Sequence, residues 1–183
     1  MSPPGIFISE SGRFGYGQGR FLACTYEKRL ECYTPFKNYL IRSGFTVYPT
    51  EFACFPSQHP LVDIAAKMGN YFWAFEYKSK NDCISRGVEQ LRAYSEWFDL
   101  VVLVSERNLS HSTSENYWKL KGLGAGLWNY DPLREDRCLH KTNPSIQKPI
   151  VGNKRLVSRR FRALGKQSGV EETSWRQLLL CNF

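Results

Sequence analysis

The stretch YFWAFEYKSKN, residues 71–81, carries two chemistries in strict alternation. Tyr71, Trp73, Phe75 and Tyr77 fall on one side of a period of two, and Phe72, Ala74, Glu76 and Lys78 on the other, which is the pattern of a β-strand. One side is wholly aromatic and reads as core. The other begins apolar and ends in a carboxylate and an ammonium, so the strand is expected to run from a buried interior towards a cleft open to water and ions.

Working outward, the Gly69-Asn70 pair before this strand lies between two apolar runs and reads as a hairpin turn. That makes Leu61–Ala66 an antiparallel neighbour of Tyr71–Ser79. Downstream, Ser85–Phe98 repeats apolar residues at helical spacing, with Val88, Leu91, Tyr94 and Trp97 or Phe98 facing inward. Leu100–Ser105 (LVVLVS) then reads as a strand buried on both faces. Strand, helix and strand in about 30 residues imply a crossover unit with parallel pairing. Upstream, Thr25–Arg42 is helical in pattern up to Ser43-Gly44, with Pro35 as a point of kinking or division, and Phe45–Tyr48 reads as a short strand. Gly122–Tyr130 adds a further strand. Short helices are expected at Lys154–Leu164 and Glu171–Cys181.

The fold class is therefore α/β, a mixed central sheet flanked by helices. The organisation expected is a glycine-rich mobile leader over 1–20, a core over 21–133 and a basic C-terminal extension over 134–183. The chain has 183 residues, of which 42% are hydrophobic and 15% aromatic, enough for a real core. No apolar run approaches the roughly 18 residues that span a bilayer, and the N-terminus lacks the pattern of a secretory signal, so a location inside the cell, cytoplasmic or nucleoid-associated, is expected without membrane contact. Six cysteines lie far apart without a CxxC pair, which points to reduced thiols rather than a disulfide scaffold or zinc ribbon. Cys138-Leu139-His140 is the nearest approach to a metal pattern and is poor for zinc. His59, His111 and His140 stand singly, and His59, four residues before Asp63, is read as an ordinary loop histidine.

Charge is uneven. The net charge is +8, and the span from Arg134 to Lys166 holds ten basic residues against two acidic ones, which accounts for all of it. Such a concentration is the electrostatic footprint of a polyanion-binding surface, with Lys154, Arg155, Arg159, Arg160 and Arg162 as its centre. A solvated basic tail is the plainer alternative.

Asp63 and Glu76 come from neighbouring strands of the expected hairpin, and two carboxylates at a sheet end are the hard oxygen ligands that Mg²⁺ or Mn²⁺ prefers. Lys78 shares their face, where an ammonium can orient a water or stabilise charge at a phosphate. An isolated ExK on a strand is more often a surface ion pair. Here it is joined by Gln90 and Tyr94, four apart on the following helix and hence on one side of it.

Asp63, a gap of twelve residues, Glu76-Tyr77-Lys78, then Gln90-Leu91-Arg92-Ala93-Tyr94 as QxxxY, set in helix, strand, strand, strand, helix, strand order, resembles the PD-(D/E)XK nuclease superfamily in its RecB-like and resolvase-like branch. Val62 stands where that motif has proline. The resemblance covers about residues 25–130 and implies a restriction-endonuclease-like core that hydrolyses DNA with Mg²⁺ or Mn²⁺. It implies metal ligation by Asp63, Glu76 and the backbone carbonyl of Tyr77, with Lys78 at the reacting phosphate and Gln90 and Tyr94 positioning phosphate or lysine. It also implies a glutamate from the first helix, for which Glu31 is favoured over Glu27. RNA stays open as the polymer, a homodimer is allowed, and two other classes remain beside the enzyme: a binding module of the same fold without turnover, and a regulatory protein of a repair or defence complex.

Overall fold

The computed structural model describes residues 26–49, 51–54, 61–109, 115–134 and 138–167. The chain divides into two compact units, 1–34 and 35–183. Of the first, the described part is helical throughout, being the opening of α1 (Tyr26–Arg42). Pro35 lies inside α1 without interrupting it, although a proline there removes one helical hydrogen bond.

The second unit holds a six-stranded sheet in which spatial order follows chain order. Its strands are β1 (Thr46–Val47), β2 (Ile64–Met68), β3 (Tyr71–Lys78), β4 (Leu100–Ser105), β5 (Gly126–Tyr130) and β6 (Cys138–Lys141). β1, β2 and β3 pair antiparallel, β3–β4 and β4–β5 are parallel, and β5–β6 is antiparallel. Each parallel step carries a crossover helix, because a parallel neighbour cannot be reached by a tight turn: α2 (Ile84–Tyr94) links β3 to β4, and α3 (Glu115–Leu123) links β4 to β5. The hairpin expected at Gly69-Asn70 is present, with Met68 opposite Tyr71 and Gly69 at φ 57°, a conformation that glycine adopts without a Cβ clash.

β3 separates two kinds of packing. On its aromatic side Phe75 meets Phe36 of α1 at 5.7 Å between ring centroids, Phe45 at 5.8 Å and Trp128 of β5 at 5.3 Å. Edge-to-face and tilted ring pairs of this kind each contribute about 0.5–1.5 kcal/mol beyond the area they bury. On the other side Phe72 and Ala74 join Val101 and Leu103 beneath Val88 and Leu91 of α2 and Val157 and Phe161 of α4 (Val151–Gln167). All six residues of β4 are buried, as a two-sided central strand requires.

Several expectations shift. α2 ends at Tyr94 instead of Phe98: Trp97 and Phe98 both donate their N–H to the Tyr94 carbonyl, turning the chain so that their rings still enter the core. The sequence reading had no helix at α3, whose only fully buried side chain is Leu120, so it shows no apolar stripe to read. β5 starts at Gly126, after Gly124 at φ 69° has closed α3. Cys138-Leu139-His140, weighed as a metal pattern, lies in edge strand β6. α4 starts three residues before the expected Lys154 and is anchored in the core by Val157 and Phe161. The 1–20 leader, the helix expected at Glu171–Cys181, His59 and His111 lie outside the described residues.

Candidate active site

The hairpin register decides the site. Ile64 pairs with Phe75, so one step outward Asp63 stands opposite Glu76, with both side chains on the face covered by α2. The Asp63 carboxylate accepts the Tyr77 N–H at 3.0 Å. Both carboxylates are deeply buried, Asp63 at 5% exposure and Glu76 at 1%.

Lys78 follows on the same face, and its ammonium lies 2.5 Å from Glu76 Oε1. Burying two charges is tolerable only when the remaining donors are also satisfied, and Gln90 Oε1 accepts a second Lys78 bond at 3.0 Å. Gln90 Nε2 donates to the Tyr94 hydroxyl at 3.4 Å. That hydroxyl lies 2.7 Å from both Glu76 Oε2 and the Leu61 carbonyl. The circuit Glu76, Lys78, Gln90, Tyr94 and back to Glu76 is thereby closed, because α2 presents Gln90 and Tyr94 one turn apart above the end of β3.

The electrostatics follow from this crowding. Burial, then the neighbouring Asp63 charge, push the Glu76 carboxyl up to about 8 against the opposing pull of Lys78 and Tyr94. Tyr94 is raised by burial and by the charges of Glu76 and Asp63, which keeps its phenol neutral. One phenolic proton faces two acceptors. The Tyr94 hydroxyl therefore shares its proton between Glu76 Oε2 and the Leu61 carbonyl.

Two oxygen-donor carboxylates whose mutual repulsion raises one of them are a donor set that a hard divalent cation relieves, so Asp63 and Glu76 fit Mg²⁺ or Mn²⁺. Among the described residues no group of three or more His, Cys, Asp or Glu side chains assembles. Tyr77 contributes here through its backbone only. Its side chain lies on the other face, with its hydroxyl donating to Glu106 Oε1 at 2.8 Å. Glu31, and Glu27 one turn earlier, belong to α1, but their side chains lie outside the described residues.

The sequence reading missed other members of the site. Gly87 of α2 is one: a Cβ there would stand 2.8 Å from both Lys78 Cε and Leu103 Cδ1, so any larger residue would force one of these side chains to shift. A lone glycine inside a helical pattern was its only signal. Ser105, level with Lys78 on β4, and Asn129, level with Ser105 on β5, continue the polar row along the strand ends, and both are buried. Asn129 Nδ2 donates to Asn108 Oδ1 at 3.1 Å, and Ser105 Oγ accepts the Arg107 N–H at 3.0 Å. Lys37 of α1 is lowered by burial while Glu51 and Asp63 raise it, which puts it within the field of the site.

The five basic residues assigned to polyanion binding lie on α4 and differ in role. Lys154 pairs with buried Asp99, and Arg160 donates to the Ala53 carbonyl at 2.5 Å while its guanidinium stacks 4.6 Å from the Phe52 ring centroid. Arg155, Arg159 and Arg162 are exposed. Cys54 is buried and its thiol is pushed up to about 12 by burial, so it is unreactive. No protein-family model, curated protein or solved structure matches this chain.

Proposed function

We propose that this chain is a divalent-cation-dependent nuclease of the PD-(D/E)XK type, hydrolysing phosphodiester bonds of DNA. The observation that carries the reading is the closed circuit of Glu76, Lys78, Gln90 and Tyr94 with Asp63 opposite. A structural ion pair needs no second buried carboxylate and no glycine cut to the width of its lysine. Perturbed ionisable groups gathered at a sheet end are a mark of chemistry.

Asp63 and Glu76, with the Tyr77 carbonyl, are the residues that would hold Mg²⁺ or Mn²⁺. A divalent cation supplies charge stabilisation at phosphorus and acidifies water. Lys78 brings a fixed ammonium to the same place, held by Glu76 and Gln90 at no reorganisation cost when charge develops on the phosphate. Gln90 and Tyr94 orient it. Arg155, Arg159 and Arg162 fall at i, i+4 and i+7 on α4, spanning about 10 Å along the axis, enough to meet successive phosphates of a backbone. Such contacts give affinity with little sequence information.

The test is incubation of labelled single-stranded, duplex and branched DNA, and of RNA, with Mg²⁺ or Mn²⁺. Cleavage by the wild type that disappears in Asp63→Ala and Glu76→Ala is expected. The alternative, a binding module without turnover, is favoured by one observation: both Glu76 oxygens already lie within hydrogen-bond distance of groups of this chain. Nucleic-acid binding without cleavage under any of these conditions would decide for it.

A further inference from the structure

Lys78 is surrounded by polar groups on its own face, but the backbone that carries it is held from outside. Glu106, the first residue after β4, meets that segment at three points, two on its backbone and one on the Tyr77 side chain. Its N–H donates to the Lys78 carbonyl at 3.1 Å, extending the parallel ladder by one rung. Its carboxylate Oε1 accepts from the Tyr77 hydroxyl at 2.8 Å, and Oε2 accepts from the Lys80 N–H at 3.1 Å. The residue before Lys78, Lys78 itself and the residue two beyond it are thus tied to one side chain and its backbone. Arg107 adds to the tie, with Nε donating to the Lys80 carbonyl and N–H donating to Ser105 Oγ at 3.0 Å.

The position is unusual for a carboxylate. Tyr77 points to the aromatic face and Lys78 to the α2 face, so Glu106 reaches round the sheet end and pins the strand where its last side chain emerges. A strand end followed by a loop is where a sheet frays. A lysine meant to meet a phosphate cannot tolerate that, since misplacement by about 1 Å costs on the order of a hundredfold in rate. We infer that Glu106 is a positioning residue, clamping the end of β3 so that the Lys78 ammonium is held at the site. Its link to turnover rests on the nuclease reading; its action on Lys78 does not.

The experiment follows Lys78 directly. Lysines of the full chain are acetylated with a water-soluble N-hydroxysuccinimide acetate, and the rate at each lysine is read by peptide mass spectrometry, with exposed Lys119 as internal reference. Glu106→Ala removes both carboxylate bonds and is expected to raise Lys78 labelling about tenfold relative to Lys119, through local opening. Glu106→Gln should restore the wild-type rate: the amide oxygen still accepts from Lys80 N–H, and the amide N–H can donate to the Tyr77 oxygen. Tyr77→Phe keeps the ring and loses one bond, so a smaller rise is expected; it also serves if the alanine variant fails to fold. In cleavage assays Glu106→Ala should lower kcat while DNA affinity, measured in EDTA, is unchanged. Unchanged Lys78 labelling in a folded alanine variant and in Tyr77→Phe overturns the clamp, as does a uniform rise at every lysine. If Lys78 labelling responds as expected but the wild type cleaves no nucleic acid, the clamp stands and the nuclease reading falls.

Discussion

At each end of β3 stands a buried carboxylate paired with a lysine, and the two pairs are built differently. Near its start, Asp99 accepts the Phe72 N–H at 3.0 Å and pairs with Lys154, whose side chain is 42% exposed. Near its finish, Glu76 at 1% pairs with Lys78 at 10%, and a second carboxylate, Asp63, stands opposite. The first pair is one charge met by a backbone donor and a lysine that keeps contact with water. The second confines three charges where water is scarce, and its cost appears as the raised Glu76. The first pair holds elements together, here α4 against the start of β4; on the nuclease reading proposed above, the second is kept for chemistry at the expense of stability.

The sharpest way to separate them is substitution at each end. Lys78→Ala should reduce turnover by about a thousandfold while the protein melts near the wild-type temperature, because the ammonium acts on developing charge. Asp99→Ala should do the reverse, costing about 1–3 kcal/mol by stranding the Phe72 N–H, with turnover per folded molecule retained at saturating substrate. Denaturant titration beside single-turnover cleavage reads both, and equal kinetic losses would erase the distinction.

Acidity offers a second break. The pKa of Glu76 in the folded state is raised above its unfolded value, so the folded form binds more protons between about pH 4.5 and 8 and stability falls as pH rises through that window. Without divalent ions the loss from pH 5 to 8 should be on the order of 3 kcal/mol, and Glu76→Gln should flatten it. Because the cation competes with the proton, Mg²⁺ should raise Tm more at pH 8.5 than at pH 6. A Mg²⁺ response that does not depend on pH would take Glu76 out of the ligand set.

Packing gives a smaller effect. Gly87→Ala drives a methyl into Lys78 and Leu103, for which about 1–3 kcal/mol of destabilisation and a measurable fall in turnover are expected. Gly122→Ala on α3 meets nothing within 4 Å and should stabilise by about 0.5–1 kcal/mol. Thermal melts of the two variants should move in opposite directions.

The smallest effect concerns affinity. Replacing Arg155, Arg159 and Arg162 together by alanine should lower the slope of log affinity against log salt on duplex DNA by up to about 3, since each phosphate contact contributes about 0.9. Lys154→Ala, its charge already committed to Asp99, should change the slope least, as salt-dependent anisotropy in EDTA would measure.

Much of this arrangement was written in local pattern. The alternation of residues 71–78, the Gly69-Asn70 turn, the all-apolar LVVLVS run and the helical spacing before it state their elements directly, because strand and helix periods are properties of the chain. The hairpin register then makes Asp63 and Glu76 neighbours, and the i, i+4 spacing puts Gln90 and Tyr94 on one side of α2. α3 and β6 escaped, the first for want of an apolar stripe and the second as a four-residue edge strand. The basic residues of α4 looked equivalent in sequence. Only packing against Asp99 and Phe52 divided Lys154 and Arg160 from the exposed arginines. Glu106 bound to the end of β3 is a contact between residues 26 and 29 apart in the chain, and Gly87 above Lys78 matters only through how closely α2 lies on the sheet. Periodicity and spacing therefore determined which side chains could share a face. Which of them touch, and which charges are buried together, depended on how closely α2, α4 and the loop after β4 approach the sheet, a distance that no local pattern encodes.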